Sequence, residues 1–292
     1  MISIVICSIN EVLFKQVSES IEKTINVPYE VIRIDNSENN FGICKAYNDG
    51  AIKANFPYLC FLHEDILIKS KDWGAKIIAF FEQNEHIGIV GVAGSIYKSL
   101  TPSVWAQGLH DTDYANLIQH YRKTISMNTE SIVEHFSEVK TLDGVFLFTK
   151  KEVWKKYRFD ETTFDKFHCY DLDFCLQVGQ QFKIFVFNNL LIEHFSSGSL
   201  NKDWVNYSIK LTEKWQNVLP VGNIPKDHQK DIEWRNRKIF FFRMNILGYP
   251  FLTSAKVFLK FGFTKDFSLF KTLDFMKAIL LRKLKITNEP FY

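Results

Sequence analysis

The sequence predicts an α/β protein with a mostly parallel, Rossmann-like sheet flanked by helices and a helical C-terminal extension, and three observations lead there. Strand-like apolar runs alternate with helix-like segments across roughly the first hundred residues, the pattern of βαβ units. One such run, Tyr58-Leu59-Cys60-Phe61-Leu62, stops abruptly at the polar triplet His63-Glu64-Asp65. A buried parallel strand reads as an unbroken apolar run, and α/β proteins place their chemistry just past the carboxyl ends of such strands. The third observation is a change of pattern: after the Ser/Gly loop near residue 198 the chain reads as helical to its end. The expected division is an α/β domain over 1–203 and a helical, basic, Phe-rich region over 204–292. With 292 residues, 46% of them hydrophobic and 24% charged, the chain can bury one full core and carry an appendage.

The elements follow in order. Residues 2–8 read as the first strand, 12–24 as a helix, and Pro28 as a break before the strand 29–35. A polar loop over 36–40 leads through Gly42 to a helix over 43–54. The strand 59–62, a helix over 73–81 and a strand over 87–92 come next, each one crossover from its predecessor. From 95 to 139 the pattern loosens, so loops and short elements lying over the sheet are expected there. An irregular insertion of that length is more often functional than idle. Regular structure resumes with a strand over 145–148, a helix over 151–156, a helix opening at Tyr170 and running to about residue 178, a strand over 183–187 and the run 190–195.

Composition narrows the function classes. No stretch of 18 or more apolar residues is present, and no basic segment leads into a signal-like apolar run, so a cytoplasmic protein is expected. Five cysteines without a C-x-x-C pair make neither a disulfide framework nor a zinc ribbon, and Cys7, Cys60 and Cys175 sit in apolar runs as small core residues. The net charge of +3 conceals an asymmetry: from Arg235 onward 12 Lys or Arg face 3 Asp or Glu, while the preceding residues are net acidic. Phe is dense in the same stretch. Interleaved basic and aromatic residues on helices suit the inner face of an anionic membrane; a helical cap packed on the main domain, or on a second copy in a homo-oligomer, is the other reading. No feature points to nucleic acid.

Polar groups collect at three strand ends or helix starts: Asp35 with Asn36, the triplet His63 to Asp65, and Asp171 with Asp173. A nucleotide-binding α/β sheet gathers such groups around one crevice. There is no G-x-G-x-x-G after the first strand and no G-x-x-x-x-G-K-[ST], so phosphate must be held another way. Mn2+ or Mg2+ on Asp65 could do so, since both favour oxygen ligands and bridge carboxylate to diphosphate.

An opening apolar strand, Ile34-Asp35-Asn36-Ser37, then Asn40-Phe41-Gly42 with Ala46, Asn48, Gly50 and Ala54, then Phe61-Leu62-His63-Glu64-Asp65, occur in an order that resembles the glycosyltransferase family 2 group, enzymes of GT-A fold. The resemblance covers roughly residues 1 to 200. It implies that Asp35 and Asn36 meet the nucleoside, that Lys45 contacts base or phosphate, and that Glu64 lies on the substrate side. His63-Glu64-Asp65 occupies the place of the family's D-x-D motif, so Asp65 is the implied metal ligand, with His63 standing where the first Asp is usual. Tyr170-Asp171-Leu172-Asp173 is similar to the E-D-x-D-L stretch, with Tyr170 in place of Glu, which makes Asp171 the implied catalytic base and Asp173 a residue that orients the turn or the sugar. His194 resembles the late histidine that completes the metal site. Trp105 and Trp154 are open between core and acceptor-site wall, and Asp111 and Asp113 read as a solvated loop.

The function these features imply is transfer of a sugar from a nucleoside diphosphate, a UDP-sugar first, to a hydroxyl of a glycan, lipid-linked or protein-linked acceptor. A single base on the acceptor side implies inversion, because retention through a covalent intermediate calls for a second carboxylate. Two rivals stand beside it. A sugar nucleotidyltransferase would show a Gly-rich basic loop where Ser8-Ile9-Asn10-Glu11 stands. A non-catalytic nucleotide or glycan binder would account for His63 and Tyr170 at positions that are usually acidic.

Overall fold

The computed structural model describes residues 1–109, 111–120, 124–127, 135–196, 198–263 and 267–283, with side chains for all of these except 124–127 and 281–283. Parts of the basic C-terminal stretch, and Ser197 after His194, therefore lie outside the described residues. The residues form two compact units, one of 1–98 and 105–199, the other of 99–104 and 200–292. The sequence reading divides the chain after 203; the contacts divide it after Ser199 and give the second unit a short excursion from the middle of the first.

The first unit starts with β1 (Ile2–Ser8), whose side chains are almost all buried. Asn10 then caps α1 (Glu11–Thr24), its side-chain oxygen accepting from the amides of Val12 and Leu13. Val17, Ile21 and Thr24, spaced at helical intervals, are the buried face of that helix. The chain returns as β2 (Tyr29–Asp35), α2 (Ile43–Lys53) and β3 (Tyr58–Leu62). β1 pairs in parallel with β2 on one side and β3 on the other, so all three end on the same edge. Small residues let α2 lie close to the sheet: a Cβ on Gly50 would collide with Val5.

β4 (Ile66–Ile68), α3 (Trp73–Gln83) and β5 (Ile87–Gly91) follow. The loosely patterned stretch then supplies β6 (Ala93–Ser95), β7 (Asp113–Ala115), β8 (Leu117–His120), β9 (Thr124–Met127), β10 (Phe136–Val139) and β11 (Thr141–Leu142). β12 (Phe146–Lys150), α4 (Lys151–Lys156), α5 (Tyr170–Val178), β13 (Lys183–Phe187) and β14 (Ile192–His194) complete the unit. The main sheet has the order β10-β13-β5-β12-β3-β1-β2. β12 runs antiparallel between β3 and β5, and β10 runs antiparallel at the edge, while the other five strands share one direction. Two small sheets, β11-β6-β7 and β4-β14-β8-β9, hold most of the strands that pattern alone missed, with β10 in the main sheet the other. They are only two to four residues long, too short for a periodicity to show.

Trp154 is a core residue, its indole N–H donating to Asn48 Oδ1 at 3.1 Å, and Asn48 in turn bonds the Phe159 carbonyl and Glu161. Asp113 is engaged by the amides of Gln107 and Gly108, which makes it a loop-closing residue.

In the second unit, α6 (Lys202–Trp215), α7 (Lys226–Ile246), α8 (Phe251–Lys260) and α9 (Leu269–Lys283) pack as helices. The buried carboxylate of Glu233 on α7 holds the excursion, accepting from the amides of Leu100 and Thr101 and the Thr101 hydroxyl at 2.8–3.0 Å. Trp234, Phe241, Phe242, Phe258 and Phe275 form one buried cluster, in which the Phe258 and Phe275 rings stack at 4.5 Å. Buried Arg237 donates to the Phe261 carbonyl at 2.6 Å and lies about 6 Å from the rings of Trp234, Phe258 and Phe263. No helix among the described residues is long and apolar enough to cross a membrane.

Gly42, at the start of α2, is a point where the first unit can be tested. A Cβ there would meet the carbonyl of Asp165, and the next amide, of Ile43, donates to the Lys166 carbonyl at 3.0 Å. Backbone against backbone cannot yield by a rotamer change. Gly42→Ala is therefore expected to lower stability by about 1–3 kcal/mol, measured by urea unfolding, with Gly198→Ala, which has open space around its Cβ position, as a comparison at a site where only backbone conformation is at stake.

Candidate active site

The parallel strands β1, β2 and β3 bring three polar segments to one edge of the sheet. Asp35 ends β2 opposite Ser8, and the next amide, of Asn36, donates to the Ser8 carbonyl. Both residues shape the loop that follows. Asp35 accepts from the Ser37 amide and hydroxyl, bonds that hold its carboxyl below the ordinary range although it is fully exposed. Asn36 closes the loop from both ends of its amide, donating to the Phe41 carbonyl and accepting from the Phe41 N–H. Lys45 lies one helical turn before Asp49 and bonds it at 2.9 Å, with its ammonium 5.2 Å from the Phe41 ring. Glu64 accepts from the amides of Ile9 and Asn10 at 3.1 Å, which ties the end of β3 to the start of α1. That role follows from the pairing of β1 with β3 and has no sequence signal.

His63, Asp65 and His194 form a cluster whose candidate ligand atoms all lie within 4.8 Å of one another. His194 comes from far along the chain, and two short strands bring it in. β14 runs antiparallel to β4 with His194 opposite Ile66, and the amide of Phe195 donates to the Asp65 carbonyl at 2.9 Å. On its other side β14 pairs in parallel with β8, setting His194 opposite Gln119. His194 Nδ1 lies 3.0 Å from Gln119 Oε1. An amide oxygen only accepts, so Nδ1 carries the proton and Nε2 presents its lone pair. That Nε2 is buried with no hydrogen-bond partner among the described residues and faces Asp65 Oδ1 at 3.4 Å. Gln119 was not among the sequence candidates, because only the strand register connects it to His194.

His63 Nδ1 lies 3.9 Å from the same Asp65 oxygen, and its Nε2 is 2.6 Å from the Tyr170 hydroxyl. Burial lowers the His63 pKa, and Asp65 opposes that shift. Burial pushes the Asp65 carboxyl up, but the neighbouring His194 and His63 imidazoles outweigh it and leave its pKa below the usual value. A buried lone pair with no partner, a carboxylate held ionised and a second imidazole make a donor set that fits a divalent cation.

Asp171 sits one residue along from Tyr170, in the first turn of α5. Cys169, in the left-handed region at φ 67°, turns the chain into that helix. Asp171 accepts from the Gly144 amide at 3.0 Å and the Leu172 amide at 2.8 Å. Burial, with the nearby Asp143 charge, nevertheless raises its pKa to about 7, above what those bonds can offset. Asp143 precedes β12 and was also absent from the sequence candidates. Asp173 is buried, and its carboxylate accepts from Gln177 one turn further along α5 at 2.7 Å. Phe167 projects half-exposed with its ring 5.6 Å from that of His63. The buried thiols of Cys44, Cys60 and Cys175 are pushed up by burial, as core cysteines are.

With this geometry in view, comparison with known proteins is decisive at the level of family. The model of a family described as "Glycosyltransferase like family" matches residues 3–218, and the chain belongs to that family. A protein described as "ATP synthase subunits region ORF 6" from Fuscovulum blasticum is 25% identical over 228 residues, 74% of this chain and 84% of its own. Among solved structures, GalNAc-T7 with UDP, GalNAc and Mn2+ superposes with a TM-score of 0.52 at 12% identity, over 89% of this chain. This chain spans about half, 54%, of that one. A segment of S. aureus TarS in complex with UDP superposes with a TM-score of 0.50 at 14% identity, over 95% of this chain and 78% of its own. At these identities the likeness shows the fold, which is GT-A.

The raised Asp171 pKa has a consequence for stability. Below its ordinary value of 3.8 the carboxyl is protonated in both folded and unfolded chains; as pH rises toward about 7 the unfolded chain ionises first, so stability falls, and the loss is complete once pH passes the folded value. Urea midpoints taken between about pH 5 and about pH 8 should decline more steeply in the wild-type chain than in Asp171→Asn, which has no proton to lose.

Proposed function

We propose that this chain is a metal-assisted, inverting glycosyltransferase that moves a sugar from a nucleoside diphosphate, UDP first, onto a hydroxyl of a glycan, lipid-linked or protein-linked acceptor. The observation that carries the reading is the buried His194 Nε2, without a hydrogen-bond partner among the described residues, facing Asp65 Oδ1 at 3.4 Å beside His63, on the same sheet edge as Asp35. Mn2+ or Mg2+ held by Asp65 and His194, with His63 as the third ligand, would offset charge on the departing diphosphate. Mn2+ and UDP in the GalNAc-T7 structure, and UDP in that of TarS, support this choice of cofactor and nucleotide.

The chain's own residues do the rest. Asp35 and Asn36 shape the loop assigned to the nucleoside, Lys45 stands one helix turn beyond it, and Glu64 fixes the end of β3 against α1. Asp171 takes the proton from the attacking hydroxyl as oxygen bonds to the anomeric carbon. A base works best when its pKa lies near the operating pH, and about 7 meets that condition. Asp173 orients the first turn of α5 through Gln177.

A second reading concerns the helical unit. Much of its Phe content is internal, in the cluster around Phe258 and Phe275. An apolar set remains outside: Leu269, Leu273, Met276 and Leu280 on α9 are exposed and recur at helical spacing, with Phe270 82% exposed among them. With 12 basic against 3 acidic residues from Arg235 onward, the occupant that fits is an anionic lipid surface.

Two experiments test these readings. Incubation with UDP-, GDP- and dTDP-sugars and Mn2+ should show hydrolysis or transfer with one donor, abolished by chelation. Asp171→Asn should retain donor binding while transfer falls by about 10² to 10⁴; equal turnover in that variant would remove Asp171 as the base, and a silent panel with nucleotide still bound would favour a non-catalytic binder. For the helical unit, the full chain should sediment with anionic but not neutral vesicles and lose that binding as salt rises. Leu273→Glu with Met276→Glu should abolish it, and sedimentation unchanged by either salt or these substitutions would refute the lipid reading.

A further inference from the structure

Two positions in this site depart from the family's acidic pattern, and the structure places them in contact. His63 stands where the first Asp of the D-x-D motif is usual and Tyr170 where a Glu is usual, and His63 Nε2 lies 2.6 Å from the Tyr170 hydroxyl. We infer that Tyr170 is a positioning residue that fixes the His63 ring, so that Nδ1 is the third protein ligand and the site selects a first-row transition ion over Mg2+.

Several observations converge on this assignment. The 2.6 Å contact is a hydrogen bond, and a phenol oxygen can accept it from an imidazole N–H. If Nε2–H donates to that oxygen, Nδ1 is left with its lone pair, 3.9 Å from Asp65 Oδ1, and the His63 and His194 ring centroids lie 5.8 Å apart. Ligating histidines ordinarily spend their second nitrogen in this way, on a partner that sets tautomer and ring angle. His194 obeys the same rule through Gln119, so both imidazoles of the cluster have an outer partner.

The Tyr170 hydroxyl is itself confined. A Cβ on Gly144 would collide with it, so glycine leaves the space in which the phenol reaches His63. Its ring packs against Tyr47 at 5.7 Å and Phe167 at 6.1 Å. His63 and Tyr170 thus form a hydrogen-bonded couple that carries no carboxylate. What remains is two imidazole nitrogens and one carboxylate, a set that suits Mn2+, Co2+ or Fe2+ better than the all-oxygen shell Mg2+ prefers.

This inference rests on the metal-site reading above, and direct metal binding separates the two. Metal-free full-length protein is titrated with Mn2+, followed by loss of the free-ion EPR signal, and with Co2+, followed by its visible spectrum, each with and without excess Mg2+. Tyr170→Phe keeps the ring and should weaken Mn2+ binding about 10- to 100-fold and alter the Co2+ spectrum, with unchanged circular dichroism. His63→Ala should lose at least as much, and the double variant should lose no more than His63→Ala alone, because Tyr170 acts only through His63. His63→Asp should let Mg2+ compete. Mn2+ affinity unchanged in either Tyr170→Phe or His63→Ala would overturn the assignment, as would a full additional loss in the double variant or displacement of Mn2+ from the wild type by excess Mg2+. If these shifts appear while no nucleotide-sugar is turned over, the positioning role stands and the transferase reading fails; normal turnover with no shift gives the converse.

Discussion

Three residues of β4 paired with three of β14 carry the constraint on which the site depends, since that register alone sets His194 beside Asp65 across more than a hundred residues of chain. A slip of one residue would turn His194 to the opposite face. The pair has support on both sides. β8 adds a parallel neighbour with Gln119 opposite His194, and the Phe195 amide closes onto the Asp65 carbonyl. The imidazole is thus held from its backbone, from its Nδ1 and by burial, which is why its Nε2 can remain buried without a hydrogen-bond partner among the described residues, at a cost the surrounding bonds offset.

The opposite wall is organised around Gly144. Its amide holds Asp171, and its missing side chain makes room for the Tyr170 hydroxyl, so one residue before β12 serves two neighbours on α5. β12 runs antiparallel between β3 and β5, and its start meets the end of β3, where the His63 amide donates to the Val145 carbonyl. Strand insertion therefore brings Asp171 towards the His63–Asp65–His194 cluster. Burial raises the Asp171 pKa, and the Asp143 charge from the same short turn adds to it.

The second unit shows how charge and aromatic density can mislead when summed. Phe residues that look alike in sequence divide by position on their helices: Phe241, Phe242, Phe258 and Phe275 are internal, whereas Phe251 and Phe270 are exposed. Arg237, counted with the basic residues, is buried against three rings and a carbonyl and adds nothing to an outer surface. Glu233, which stands just before that basic stretch, is the buried anchor for residues 99–104.

Local pattern carried much of this protein. The long strands and helices of the first unit are apolar runs and amphipathic stretches whose period is visible without a partner, and the polar ends of β2 and β3 could be read directly as Asp35, Asn36 and His63 to Asp65. The ordered spacing of those pieces sufficed for the family. Tertiary structure decided what depends on register. β4 is too short to announce itself, the run that holds β14 does not name its partners, and Gln119, Asp143 and Gly144 are ordinary residues until strand pairing sets them beside His194, Asp171 and Tyr170. His63 and Tyr170 read separately as two departures from an acidic pattern. Only the fold, which closes α5 over the end of β3, shows them as one hydrogen-bonded pair, because a contact between distant residues is a property of packing and leaves no period in the chain.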